Sequence, residues 1–440
     1  MIDPISRSLI ITTMRAFVMA CLCMCIGACV KQTTPQTLEF ANAKLNINAP
    51  ALTYTNGLWY KAANHSDSSA KSMFERKDMH TKDGVFVAEQ AENALIIDLQ
   101  GAYIINPFGE AHNHSVDSQW TIDTAKKYLR EGVFYYKNPN SIGSLTTPNR
   151  SYWRRPETLD VTFSNGGIST LGGHPNILYQ QLAKNYNMQV EDLVGDAFYA
   201  APTLESLQAQ WPEILKARPD FIKLYLLRHN TDKSEGLSEA VFREAIKLAK
   251  EADLATTVHL ESTADLKLAV DAGADESAHL VNRKKDTAFE QDGLIPDELV
   301  ESIAQQGLVT VTTTRITTLQ YGDKPELLAQ IQQVQKQNLR RLFEAGAPIA
   351  IGTDSFTETL SSEIETLRNM QVFSDPELLV LLMNTPRVSI FPGRAIGRFS
   401  TGHEASFIGL TCDPFEDFDC IKKITHRVKQ GVDLNALINE

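Results

Sequence analysis

Cysteine is nearly absent from the body of this 440-residue chain. Of six, only Cys412 and Cys420 lie beyond the first thirty positions, so cysteine does not organise the bulk of the fold. Positive charge is also in deficit: 42 Lys and Arg stand against 54 Asp and Glu, a net charge of -12. That excludes broad electrostatic attraction to nucleic acid, which needs basic patches, but acidity alone names no partner. No Gly-x-Gly-x-x-Gly follows a predicted strand, which argues against a dinucleotide site. The apolar run at residues 16–28 is too short to span a bilayer as a helix. There is no internal repeat, and no low-complexity block beyond a short Gln/Thr/Pro stretch at 32–36. With 43% apolar and 22% charged residues, the composition is ordinary globular usage and excludes a disordered or fibrous chain.

What is present begins with an address. Arg7 and Arg15 precede the apolar run, which has the shape of a signal peptide; Met14 is an alternative start. The run ends Ile26-Gly27-Ala28-Cys29, which resembles a bacterial lipobox. The resemblance implies cleavage after residue 28 and lipidation of Cys29; an ordinary secretory signal is the alternative. Position 30 is Val rather than Asp, which in lipoproteins of this look points to the outer membrane. The expected location is the cell envelope, on the periplasmic side, with the membrane reached through a lipid anchor. Residues 29–37 read as a tether. In an oxidising compartment Cys412 and Cys420, eight apart, are candidates for a loop disulfide; two buried thiols are the alternative.

Residues 38–105 alternate short apolar runs (52–54, 58–60, 85–88, 94–99, 103–105) with turn residues, the rhythm of strands and hairpins. From residue 106 the pattern changes. A helical stripe at 241–252 carries Val241, Phe242, Ala245, Ile246, Leu248 and Ala249, and 254–260 reads as a strand. A helix at 264–272 closes on Gly273 as a left-handed cap. Further strands are predicted at 308–314 and 348–352, separated by helices. Strand and helix alternate across 106–389, which predicts a parallel α/β sheet, with a (β/α)8 TIM-like barrel as the first candidate and a doubly wound sheet as the second. After 390, short strands return at 395–399, 406–410 and 421–428. The expected organisation is a barrel at 106–389 and one small β-sandwich domain built from 38–105 and 390–440.

The strongest local signal is Gly109-Glu110-Ala111-His112-Asn113-His114. Two histidines two apart on an extended segment face the same way, so both imidazoles can reach one metal ion. His259 ends one predicted strand, His279 ends the next, and Asp354 follows the strand at 348–352. In a barrel such strand ends meet at one face. For any one of these residues alone, a hydrogen-bonded histidine or a helix-capping aspartate is an equal alternative. Lys223 lies in Phe221-Ile222-Lys223-Leu224-Tyr225, where period two turns Lys223 and Tyr225 toward the interior. A buried, unpaired ammonium is costly, and a neutral amine reacts with carbon dioxide to give an anionic carbamate. The alternative is a lysine paired with Asp220 or Asp354.

The order His-x-His, Lys, His, His, Asp resembles the amidohydrolase superfamily, with its imidazolonepropionase-like and prolidase-like branch the nearest look. The flanks agree: 105–114 resembles its first-strand signature, 221–224 its carboxylated-lysine strand, 272–279 its sixth strand and Ile351-Gly352-Thr353-Asp354-Ser355 its eighth. The closing segment, from Gly397 to Asp413-Pro414, and Gly172-Gly173-His174 also fit. The sequence departs where Glu110 replaces an Asp, where Asn106-Pro107-Phe108-Gly109 replaces Pro-Gly, and where Ser406 stands for an Asp. The resemblance implies that His112, His114 and Asp354 hold one divalent metal and His259 and His279 a second, with zinc the expected metal and carboxylated Lys223 and a hydroxide between them. It implies hydrolysis of an amide, cyclic amide or dipeptide C–N bond in a small molecule, with Asp354 as the proton carrier. A mononuclear deaminase, a lactone or ester hydrolase on the same fold, and an anchored binding lipoprotein are the alternatives. His174 and Tyr225 are candidate substrate-side donors, and Arg228, His229 and Arg315 candidate anion binders. His65, His80, His403 and His426 fall in the β segments and are expected to be non-catalytic. Nothing in the sequence sets an oligomeric state.

Overall fold

The computed structural model describes residues 37–40, 43–46, 48–61, 73–185, 187–229, 234–281 and 293–439. The export segment, Cys29, the tether up to residue 36 and His65 lie outside the described residues. The expected tether ends one residue early, because Thr37 already opens a strand.

The N-terminal part supplies β1 (Thr37–Phe40), β2 (Ala43–Asn46), β3 (Leu52–Tyr60), β4 (Phe74–Lys82), β5 (Val85–Val87), β6 (Leu95–Asp98) and β7 (Tyr103–Ile105). The middle supplies β8 (Phe108–Glu110), β9 (Val133–Asn138), β10 (Asp160–Phe163), β11 (Gly167–Ser169), β12 (Phe198–Ala200), β13 (Ile222–Tyr225), β14 (Thr256–His259), β15 (Glu276–Ser277), β16 (Val309–Val311) and β17 (Ile349–Ala350). The C-terminal part adds β18 (Phe407–Leu410), β19 (Ile424–Lys429) and β20 (Val432–Asp433).

Both ends of the chain meet in one mixed sheet of order β20-β19-β18-β7-β3-β4-β5, with β6 also on β3, while β1 and β2 form a separate two-stranded ladder. The expected β-sandwich is thus one eight-stranded sheet plus that ladder. Its core is aromatic: Trp59 and Tyr54 meet Phe407 edge-on at 5.1 and 4.9 Å. Two predicted runs merge into β3, with a register shift between Tyr54 and Gly57 where Asn56 takes φ 57°. Strand β4 had no apolar signature because only Phe74 and Thr81 of its nine residues are buried; an antiparallel strand can leave its other face in water. Residues 395–399, predicted as a strand, are irregular, since Gly397 turns left-handed at φ 73°.

The middle of the chain is mixed α/β with parallel strands. One sheet has the order β10-β9-β8, the other β12-β11-β13-β14-β15-β16-β17. The sequence predicts a single closed ring, but the ladders fall into two sheets. One break lies at residues 164–166, between β10 and β11, where Asn165 turns the backbone left-handed at φ 58°; the other lies between β8 and β17, which share no ladder. Isolated backbone hydrogen bonds cross between the sheets: Asp220 N to Phe163 O at 2.8 Å on one side, and Ala111 N to Ile351 O at 3.0 Å and Asp354 N to His112 O at 2.7 Å on the other. Helices separate the strands as their sequence signals require. Glu239–Glu251 buries Val241, Phe242, Ala245, Ile246 and Ala249 and is capped by Ser238. Thr263–Ala272 starts on Ser262 and stops at left-handed Gly273, and Asp297–Gln306 stops at left-handed Gly307. Among the described residues no helix is long and apolar enough to cross a membrane.

Four buried charges tie the terminal strands to β10. Lys429 Nζ lies 2.6 Å from Asp160 Oδ1, Arg394 lies 2.6 Å from Asp160 Oδ2, and Arg394 also pairs with Glu404. Two cations facing two anions leave no net charge in the interior, the condition under which buried ions are tolerated.

Candidate metal centre

His112 and His114 lie just past β8, His259 is the last residue of β14, His279 follows β15, and Asp354 follows β17. Their side chains converge. Ring centroids are 5.3 Å apart for His112 and His114, 4.7 Å for His112 and His279, and 4.4 Å for His259 and His279. The Asp354 carboxylate faces three of them: Oδ1 is 3.3 Å from His114 Nε2 and 3.7 Å from His112 Nε2, and Oδ2 is 3.8 Å from His279 Nδ1. Ligand atoms of His112, His279 and Asp354 all lie within 4.8 Å of one another. That triad takes one histidine from each of the two pairs implied by the sequence resemblance.

Local sequence makes this convergence possible. A Cβ on Gly352 would sit 2.7 Å from His112 N, so only glycine lets β17 and the segment after β8 approach this closely. Glu110, which replaces an expected Asp, accepts from His112 N at 3.1 Å, Thr353 N at 2.9 Å and Thr353 Oγ1 at 2.5 Å. It joins the two segments that carry the ligands. Burial pushes its carboxyl up to about 8 against those hydrogen bonds. Asn113 is fully buried and acts as a hub, donating to Tyr128 Oη, Thr353 Oγ1 and the Glu358 carbonyl and accepting from His114 N and Phe356 N.

The imidazoles carry the chemistry of a cation site. His114 Nδ1 lies 3.0 Å from the Asn140 carbonyl. A carbonyl only accepts, so Nδ1 carries a proton, which leaves Nε2 as the nitrogen that can offer its lone pair to a metal. That lone pair faces a carboxylate oxygen, an arrangement of two acceptors that a cation between them satisfies. His112 Nδ1 and His259 Nε2 are buried without hydrogen-bond partners. His279 Nδ1 meets Thr313 Oγ1 at 3.0 Å. Burial, reinforced by Lys223 and the neighbouring rings, holds His112 well below the usual imidazole range. Burial, His174 and His279 do the same to His259, and burial draws His279 down to about 3. All three are neutral at pH 7, the form that ligates metal. Burial would raise the Asp354 carboxyl, but His114 and His279 hold it below its ordinary value.

Lys223 is buried in β13 with its ammonium 5.3 Å from the Tyr225 ring. Burial draws it down to about 7. Asp220, one expected partner, is committed to Arg150 at 2.6 Å and to Arg154. Lys137, the other buried lysine of this region, instead pairs with Glu276 at 2.7 Å. Space for Lys223 and Tyr225 comes from Gly167 on the neighbouring strand: a Cβ there would lie 2.6 Å from Tyr225 Cε2 and 3.2 Å from Lys223 Cγ.

The candidate substrate residues divide. The His174 ring stacks on His259 at 4.1 Å. Tyr225 lies 5.6 Å from His259 but is buried, and its hydroxyl bonds that of Tyr179. The three candidate anion binders are already matched. Arg228 pairs with Glu235, His229 Nδ1 lies 2.8 Å from Asp265, and Arg315 binds Glu358 through two hydrogen bonds of 2.6 and 2.7 Å. His80, His403 and His426 bond Thr53, Ser400 and Thr425, away from this cluster in sequence. Cys412 and Cys420 are joined by a disulfide with Cα atoms 5.6 Å apart. Sequence reasoning passed over Asn113, Asn140, Gly167, Thr313 and Phe356. Asn113 stands inside His-x-His and carried a signal; the others had none.

No family model and no curated protein matches the chain. Solved structures do share its fold. An amidohydrolase crystal structure is 18% identical with a TM-score of 0.65, covering 87% of this chain and 98% of that one. A. niger ochratoxinase is 14% identical with a TM-score of 0.67, covering 88% and 95%. A putative prolidase from Bifidobacterium longum is 14% identical with a TM-score of 0.66, covering 89% and 98%. At these identities the likeness is one of fold.

Proposed function

We propose that the chain is a metal-dependent hydrolase that cleaves an amide or other C–N bond of a small molecule. One observation carries this reading: His112, His114, His259 and His279 converge with Asp354 at strand ends beside the buried Lys223, and burial holds three of the four imidazoles neutral. The names of the structural neighbours, an amidohydrolase, an ochratoxinase and a prolidase, agree with it. The parallel strands are then read as a (β/α)8 barrel interrupted at residues 164–166 and between β8 and β17. Two divalent ions, zinc first, would be held by His112, His114, His259, His279 and Asp354, with Lys223 as a shared ligand.

When bound, such ions polarise a carbonyl and lower the pKa of water toward ~7. The side chains do the rest. Asp354, a carboxyl held below its ordinary value and so ionised at pH 7, accepts the proton of the attacking water and returns it to the leaving nitrogen. Lys223, drawn to about 7 by burial, is substantially neutral at pH 7. Its neutral amine adds to carbon dioxide, forming an N–C bond and releasing one proton, which leaves a bidentate anion; from the ammonium form two protons leave in all. His174, stacked on His259, donates to the substrate oxygen; Tyr225 reaches it only by exchanging its bond to Tyr179. Residues 1–28 direct export, Cys29 carries the lipid, and the enzyme works on the periplasmic side of the outer membrane.

The test uses the full chain in detergent, loaded with zinc, manganese or cobalt. Metal content is measured by mass spectrometry, and turnover on dipeptides, N-acyl amino acids, cyclic amides and lactones. Lys223→Ala should lose metal and activity, with partial rescue by small carboxylates. Unchanged turnover after chelation to near-zero metal content would refute the reading.

A further inference from the structure

We infer that Phe356 is the wall that selects the acyl side of the substrate, and that the substrate is an amide carrying an uncharged aromatic or branched apolar group. The inference rests on the hydrolase reading above.

Phe356 is 44% exposed, yet its ring stacks on His114 with centroids 4.7 Å apart and planes at 23°. Among the described residues His114 is the one ring it touches. A large apolar side chain normally leaves water for the core; here one face covers a candidate ligand and the other stays open. The backbone is held so that this happens. Phe356 sits at φ 61°, two residues after Asp354 at φ 52°, in a region bulky residues rarely adopt. Asn113 enforces it, accepting from Phe356 N at 2.9 Å while donating to the Glu358 carbonyl at 3.1 Å beyond it. Strain of this kind persists only where surrounding contacts over-determine it, and it clusters at ligand sites.

Charge completes the argument. A side-chain cation is the strongest receiver for a substrate carboxylate, and among the described residues the three candidates Arg228, His229 and Arg315 are matched by Glu235, Asp265 and Glu358.

Hydroxamates test this without turnover, because their head group binds the metal whatever their tail. Zinc-loaded full chain is titrated calorimetrically with acetohydroxamate, benzohydroxamate and 4-carboxybenzohydroxamate. The wild type should prefer the benzo over the aceto compound by about tenfold, the scale of one aromatic contact. Phe356→Ala should bring that ratio close to one, and Phe356→Leu should keep an intermediate ratio. A wild-type ratio near one, or a ratio that survives in Phe356→Ala, overturns the wall. Tighter binding of the carboxylated probe than of benzohydroxamate overturns the uncharged class. If no hydroxamate binds zinc-loaded protein, the metal reading fails and the wall fails with it.

Discussion

Gly167→Ala isolates the step from sequence to site. The substitution adds one methyl group to β11. In an open strand, glycine to alanine stabilises by about 0.4–1 kcal/mol through the unfolded chain. Here the new Cβ would stand 2.6 Å from Tyr225 Cε2 and 3.2 Å from both Asn140 Oδ1 and Lys223 Cγ. None of the three can step aside freely. Tyr225 is 3% exposed with its hydroxyl tied to Tyr179, Lys223 is 2% exposed, and Asn140 Oδ1 accepts from Gly167 N itself at 2.7 Å. Overpacking of this kind costs about 1–3 kcal/mol, which outweighs the entropic gain. The variant should therefore be less stable by about 1–2 kcal/mol in urea unfolding. It should also bind zinc more weakly, because Lys223 and the His259 neighbour Tyr225 are displaced together. Tyr225→Ala in the same chain removes the closest clash, so the double variant should recover part of the loss, with a coupling of about 0.5–3 kcal/mol. A Gly167→Ala protein as stable as wild type with unchanged zinc affinity would show that the strand relaxes and that glycine is not what makes room for the lysine.

Asp160→Asn removes one anion from the buried four-charge cluster and leaves Lys429 and Arg394 facing Glu404 alone, a loss of about 3–5 kcal/mol. Burial would raise the Asp160 carboxyl, but Lys429 and Arg394 hold it below its ordinary value. A depressed carboxyl gives its stability above the unfolded pKa near ~4 and loses it as pH falls through the folded value, so the gap between wild type and variant should close below pH ~4 in thermal melts. Cys412→Ser with Cys420→Ser opens a short loop closed by a pair eight residues apart, worth about 2.5 kcal/mol on loop entropy; unchanged thermal stability would show the bond absent in solution. Cys29→Ser should move the protein from the membrane fraction to the soluble periplasm, and continued membrane recovery would remove the lipid anchor from the account.

What the sequence disclosed followed from its periodicities. Period two set Lys223 and Tyr225 on one face, and period 3.6 drew the helix around Val241, Phe242 and Ala245, where the structure has Glu239–Glu251. Residues at strand ends were legible because parallel strands point the same way, so His259, His279 and Asp354 could be expected together before any contact was known. The missed features depend on partners far along the chain. Phe74–Lys82 is a polar segment that becomes a strand only because β3 pairs with it. Asn140 gains its role from the His114 ring, and Gly167 gains its role chiefly from Tyr225 and Lys223, more than fifty positions away.

Three of the thirteen non-glycine residues with positive φ among the described residues belong to the centre. Thr313, Asp354 and Phe356 adopt φ 39°, 52° and 61°, all just past strands β16 and β17. Each touches the centre: Thr313 through His279, Asp354 through three imidazoles, Phe356 through the His114 ring. A strand that simply ended would release its last side chains to solvent. Turning the backbone left-handed aims those side chains back across the strand ends, and the buried hubs Glu110, Asn113 and Glu363 hold the turned segments in place. Ligand identity could be read from residue type and spacing. Ligand aim is set by these three carboxylate and amide hubs, whose bonding partners lie up to some 240 positions away, and neither periodicity records it.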